Sequence, residues 1–119
     1  MYSVDLKSLV YESGATATLK FLDGRGKLHT KSVTVKREAK ESKYHMELSA
    51  IHKALENLNT RCVLNIQPMQ LRIRNEINMG WPEQWKKNNW TNAKGKKCQE
   101  QELWSLILKD LEKHTYRAS

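Results

Sequence analysis

Lysine and tryptophan crowd one segment of this 119-residue chain. Between Gln84 and Lys97 stand Lys86, Lys87, Lys94, Lys96 and Lys97, with Trp85 and Trp90 among them and no acid. Ammonium groups pair with phosphates and indole rings offer flat faces, so a basic run with interleaved aromatics is the footprint of a nucleic-acid surface. The competing reading is a solvated basic loop that only keeps the protein soluble. These lysines face no long apolar stripe, so a membrane-surface helix is not expected. Arg72 and Arg74, two apart on a helix, do not share a face, and at most one joins the patch. The histidines at 29, 45, 52 and 114 show no metal-ligand spacing, and Cys62 and Cys98 form no Cys-x-x-Cys motif.

Composition bounds what can position that surface. The chain has 39% apolar and 29% charged residues with a net charge of +8, which is globular and basic. Its length suits a single domain over residues 1–119 that buries a core without disulfides. No run of 18 apolar residues exists, and the first residues carry Asp5, Lys7 and Glu12 rather than a signal-peptide core. Two cysteines fit a reduced setting, so an intracellular, cytoplasmic location is expected.

Periodicity supplies the elements. Val4–Glu12, Ala15–Leu22 and Leu28–Arg37 alternate as strands, the last two joined through Asp23-Gly24, a hairpin signal. Leu48, Ile51, Leu55 and Leu58 recur at helical spacing, giving an amphipathic helix over about 44–58 with Ser42 as its cap. Cys62–Ile66 is a short apolar strand. A second helix covers Met69–Met79 and is closed by Gly80, and Pro82 opens a third that runs to about Lys87. Glu100–Lys113 is the last helix, with a strand over His114–Ala118. The order is β-β-β-α-β-α-α-α-β.

Several of these segments resemble ribonuclease HI. Met46-Glu47-Leu48 with Ala50 and Ala54-Leu55 is similar to that family's Met-Glu-Leu helix. Gly80-Trp81, Trp85-Lys86-Lys87, Trp90 and Leu103-Trp104 resemble its handle region, here at about 80–97. The pattern lies without a gap from Met46 to His114, more than half the chain. The fold class implied is α/β: a mixed five-stranded sheet, three antiparallel strands and then parallel ones, with helices on its faces. The family cleaves the RNA strand of RNA–DNA hybrids with four carboxylates that hold two Mg2+ ions. Two close divalent cations need several shared carboxylates, and one ion activates water.

That resemblance makes the carboxylates the test. Glu47 matches the second, although a helix N-terminus favours an acid in any case. For the first, only Asp5 and Glu12 are candidates, each equally readable as a surface acid. The third position falls on Met69, whose thioether is a poor Mg2+ ligand. The fourth, with the family's last helix, lies beyond Ser119 and is expected to be missing. Glu47 is therefore at most a weak metal ligand, and no cofactor is expected, with Mg2+ or Mn2+ relevant only to residual activity. The handle implies nucleic-acid contacts from Trp81, Trp85, Lys86, Lys87, Trp90, Lys94, Lys96 and Lys97. The tryptophans read equally as a packed cluster that holds the handle helices. Lys43 joins these contacts from Ser42-Lys43-Tyr44-His45, which replaces the family's Thr-Asn-Asn-like stretch. The expectation is a non-catalytic module that binds RNA–DNA hybrid or another duplex. The alternatives are a weak or complemented nuclease, and a protein-interaction or homodimerising module whose uncovered sheet exposes an apolar face or a strand edge.

Overall fold

Three alternating stretches become three long strands. In the computed structural model, which describes residues 2–38, 40–91 and 99–119, these are β1 (Tyr2–Tyr11), β2 (Gly14–Leu22) and β3 (Leu28–Lys36). In β1 every second residue from Val4 to Val10 is buried, the period-two signature of a sheet with one face in the core. The β1–β2 turn is so tight that Gly14 lies under β3. A Cβ there would stand 2.1 Å from the Val35 carbonyl oxygen, which leaves glycine as the residue that fits.

Helix α1 (Lys43–Leu55) then crosses over to β4 (Cys62–Gln67), and α2 (Leu71–Asn78), α3 (Trp81–Lys87) and α4 (Gln101–Leu111) lead to β5 (Thr115–Ala118). Strand order is β3-β2-β1-β4-β5. The β1–β2 and β2–β3 pairs are antiparallel, whereas β1–β4 and β4–β5 are parallel. This is the mixed α/β sheet expected from the sequence.

Helix α4 ends at Leu111 rather than Lys113, and α1 and α2 also differ from their periodicity. The chain leaves α1 after Leu55 in a tight turn whose Asn57 and Leu58 amides reach back to Ala54 and Leu55, so Leu58 still packs on the core without being helical. Helix α2 begins at Leu71, because the Met69 and Gln70 amides are drawn to the Glu47 carboxylate.

The core lies between α1 and the sheet. Met46, Leu48, Ile51 and Leu55 of α1 meet Val4, Leu6, Leu64 and Ile66, and α4 adds Trp104, Ile107 and Leu111. Two imidazole–carboxylate contacts bridge α1 and α4, His45–Glu100 at 2.7 Å and His52–Asp110 at 2.6 Å. The sheet face turned away from α1 is mainly polar. Register aligns Lys20, Asp5, Asn65 and Arg117 across it, with Thr18, Lys7 and Gln67 in the next row. Hydroxyl pairs Thr16–Thr34 and Thr18–Ser32 lace β2 to β3. Leu9, Tyr11 and Val63 are among its exposed apolar members. Leu22 and Leu28 add an exposed apolar pair at its far end.

Ile51 is 1% exposed at the centre of the α1–sheet contact. Ile51→Ala should lower unfolding free energy by about 2–5 kcal/mol, the range for truncating a buried aliphatic side chain. Urea denaturation followed by circular dichroism measures it.

Candidate functional site

Glu47 sits in the first turns of α1, and its side chain is fully buried. One carboxylate oxygen accepts from Ser8 Oγ at 2.6 Å and from the Met69 amide at 2.6 Å. The other accepts from the Gln70 amide at 3.1 Å and from Gln70 Nε2 at 2.9 Å. Gln70 Nε2 also donates to the Lys43 carbonyl. A carboxylate has about four acceptor sites, so the chain itself occupies its capacity. Met69 Sδ in turn accepts from the Val10 amide at 3.2 Å.

Strand alternation decides which β1 residue reaches Glu47. Ser8 shares the buried face with Val4, Leu6 and Val10, whereas Asp5 points to the opposite face. There Asp5 lies across from Asn65, with Asn65 Nδ2 at 3.4 Å. Glu12 occupies the β1–β2 turn, where it is 86% exposed and faces Arg37 at 3.7 Å and Lys43 at 3.8 Å. The three acids are not brought together. Ser8 and Gln70, which the sequence pattern did not single out, are the side chains that meet Glu47. The alternation of Val4, Leu6 and Val10 was the signal that selects Ser8.

A metal does not fit these residues. Magnesium requires hard oxygen ligands near octahedral geometry. Here a donor hydroxyl, two amides and a carboxamide saturate the lone carboxylate, beside a thioether. No group of three or more His, Cys, Asp or Glu side chains is placed to hold a metal ion among the described residues.

The segment before Glu47 has turned inward. Ser42 Oγ caps α1 by accepting from the His45 amide at 3.0 Å. Tyr44 is 5% exposed. Its hydroxyl donates to Glu76 at 2.9 Å and receives the indole N–H of Trp104 at 2.7 Å. Arg72 lies over the Tyr44 ring at 3.7 Å and pairs with Glu76 at 3.6 Å. Burial pushes the Glu76 carboxyl up, while the Tyr44 hydrogen bond and Arg72 pull it down. Burial likewise pushes the Tyr44 phenol up, so it remains a donor. His45 is held between Glu41 at 2.6 Å and Glu100 at 2.7 Å. Only Lys43 of this stretch reaches solvent as a cation, 56% exposed.

The handle begins at Gly80, whose φ of 69° suits glycine, and buried Pro82 lies in the first turn of α3. The four tryptophans separate by burial. Trp104 is 1% exposed. Trp85 meets it edge-on at 6.4 Å, and both Trp85 and Trp90 pack partly on the core. Trp81, at 45% exposed, is the ring that faces solvent. Lys86 and Lys87 are exposed on the last turn of α3, where cations favour the helix dipole. Lys94, Lys96 and Lys97, and with them Cys98, lie outside the described residues.

Comparison with known proteins agrees with this architecture. The family model for RNase H matches residues 8–119. Ribonuclease H of Clostridium botulinum (strain Hall) is 36% identical over 72 residues, covering 60% of this chain and 48% of the relative. Ribonuclease H of Chlorobium phaeobacteroides (strain DSM 266) is 38% identical over 69 residues, covering 58% and 47%. The chain spans about half the length of these curated relatives. Among solved structures, LC9-RNase H1, a type 1 RNase H with the type 2 active-site motif, superimposes with a TM-score of 0.73 at 16% identity, covering 99% of this chain and 62% of that one. A foamy viral protease-reverse transcriptase in complex with RNA/DNA hybrid gives 0.69 at 12% identity, covering 99% and 17%. These likenesses show the fold.

The Glu47 cluster makes Ser8 a structural residue. Ser8→Ala leaves a buried carboxylate oxygen one donor short and should destabilise the protein by about 1–3 kcal/mol. Asp5→Ala, on the open face, should change stability by no more than about 0.5 kcal/mol. Paired urea titrations check the contrast. For Glu76, the folded carboxyl titrates above its unfolded value. The native state therefore binds the extra proton within that window, and stability falls as pH rises through it. Glu76→Gln should remove that contribution, so the stability difference between wild type and variant should shift towards the variant as pH rises from about 4 to neutrality. Thermal melts across that range read it.

Proposed function

The chain belongs to the ribonuclease H family, and we propose that in this member the fold serves as a non-catalytic module that binds duplex nucleic acid. The observation that carries the reading is the Glu47 carboxylate, the one acid that matches the family's motif. It is consumed by Ser8, Met69 and Gln70. Two of its neighbours are a serine and a methionine where a two-metal centre needs carboxylates. Asp5 lies on the opposite face of β1 and Glu12 in the exposed turn after it, so neither stands with Glu47.

Binding is supported by what remains exposed. Lys86, Lys87 and Trp81 share the handle, and Lys43 stands at the start of α1; in the sequence, three more lysines follow at 94, 96 and 97. Trp85 and Trp90 contribute as packing that holds α3 in place. The foamy viral neighbour holds an RNA/DNA hybrid and, in a second structure, double-stranded DNA. Lysine–phosphate contacts supply affinity and salt dependence without sequence choice.

The test is fluorescence anisotropy with one sequence prepared as RNA–DNA hybrid, double-stranded RNA and double-stranded DNA, at several salt concentrations. Salt-sensitive binding is expected. Lys86→Ala with Lys87→Ala should flatten the log–log salt slope by about two, one for each lysine–phosphate pair removed. Adding Mg2+ or Mn2+ should produce no cleavage. Metal-dependent cleavage that Glu47→Gln abolishes would overturn the non-catalytic reading, and failure to bind any duplex would overturn the module itself.

A further inference from the structure

Strand β3 ends the sheet order and, among the described residues, pairs with β2 alone. Its register runs unbroken from Leu28 opposite Leu22 to Lys36 opposite Gly14, with no bulge and no proline. Antiparallel pairs alternate between those that exchange backbone hydrogen bonds and those that do not. Two bonds fix the phase. The Asp23 amide donates to the Lys27 carbonyl at 3.0 Å, and the Arg37 amide donates to the Ser13 carbonyl at 2.8 Å. Counting inward from either end, His29, Lys31, Val33 and Val35 turn their N–H and C=O groups to β2. Thr30, Ser32 and Thr34 turn theirs outward, and all three residues are exposed.

From Gly24 to Arg37 the chain carries Arg25, Lys27, Lys31, Lys36 and Arg37 and no acid. Of these, Arg37 alone has an ion pair among the described residues, with Glu12 at 3.7 Å. Lysine on a free edge guards against pairing with a second copy, because two such strands set like charges opposite one another. The same charges favour a strand that carries acids. Beside the edge, a groove of about 410 Å³ opens between the end of β3 and α1. Thr34, Lys36, Ser49 and Lys53 line it, which leaves room for the side chains of an added strand. Of its two carboxylates, Glu41 is engaged by His45 and by the Glu38 amide, and Glu38 lies past the end of β3.

A free edge presents donors and acceptors in turn at the repeat of a strand, and an extended peptide matches both. Phosphates supply acceptors alone. We propose that β3 accepts an acidic, extended peptide segment of a partner protein as a sixth strand of the sheet. Its backbone pairs with Thr30, Ser32 and Thr34, and a carboxylate of the segment lies beside Lys31. The handle stands at the opposite edge, where Tyr116 of β5 donates to Glu83 of α3. The edge site therefore does not rest on the function proposed above and leaves the handle free.

The probe is a short synthetic peptide in which glutamate alternates with threonine, and the control replaces glutamate with lysine. Hydrogen exchange followed by nuclear magnetic resonance reads each amide. Saturating glutamate peptide should slow exchange at Thr30, Ser32 and Thr34 by about tenfold, and the lysine peptide should not. Ser32→Pro removes an outward N–H and no bond to β2, a place where edge strands tolerate proline. It should weaken peptide binding by about tenfold, the upper range for one backbone hydrogen bond. If the proline disturbs the strand, Lys31→Glu at its exposed position should weaken binding by about fivefold. Protection by the glutamate peptide supports the edge site whether or not the protein binds duplex. No protection at millimolar peptide, or peptide binding that leaves these three amides unprotected, overturns it. Equal protection by the lysine peptide overturns the acidic partner. Protection by duplex instead assigns the edge to nucleic acid, and protection that grows with protein concentration alone assigns it to a second copy; each overturns the proposal.

Discussion

The Glu47 carboxylate sits where α1, β1 and the β4–α2 junction converge, and it is satisfied there by hydrogen bonds from Ser8, Met69 and Gln70. Removing a carboxylate from water is expensive, and a buried charge persists only where donors replace the lost hydration. That requirement dictates local structure around it. The amides of Met69 and Gln70 turn towards Glu47, so α2 starts two residues later than its apolar spacing suggests. Gln70 precedes α2 without capping it, because its side chain reaches instead to Glu47 and the Lys43 carbonyl. Ser8 is the one polar residue on the buried face of β1.

A second buried chain of polar groups sets the handle. Glu76 of α2 holds Tyr44 of α1, Tyr44 holds the Trp104 indole of α4, and Trp104 supports the edge of Trp85 on α3. Four helices are thereby fixed through side chains whose polar atoms are paired inside. The tryptophans of the handle are largely committed to this arrangement, and Lys86 and Lys87 are left on the outer turn. Exposed charge and packed aromatic surface are thus carried by different residues of one heptapeptide.

Most of the architecture was legible in the sequence. Period-two alternation located β1 to β3, and apolar spacing located α1 and α4, because each buries one face against the same core. Helix ends were less legible. Leu58 keeps the rhythm of α1 after the helix has ended, since a tight turn serves burial as well as another helical turn does. At the site, Glu47 was evident from its motif, but its partners were not. Metal chemistry pointed to acids and so to Asp5 and Glu12, while the side of the strand on which a residue lies was the deciding constraint. The open face of the sheet mixes Lys7, Thr18, Lys20 and Gln67 with exposed Leu9, Leu22, Leu28 and Val63, a pattern that strand alternation alone makes legible. The inward turn of Tyr44 has no local signature, because its partners lie 32 and 60 residues away.

The saturated carboxylate also bears on how such a sequence can change over time. Replacing Ser8 with aspartate would remove a donor and set a like charge against a buried one, and an aspartate at position 69 would add the same repulsion. Without a cation already present, each single step lowers stability before a second step could recruit one. Domains tolerate only a few kcal/mol of such loss. The hydrogen-bonded state of Glu47 is thus a local optimum in sequence space: single acidic substitutions at its donors lead to sequences that fold less well than the present one.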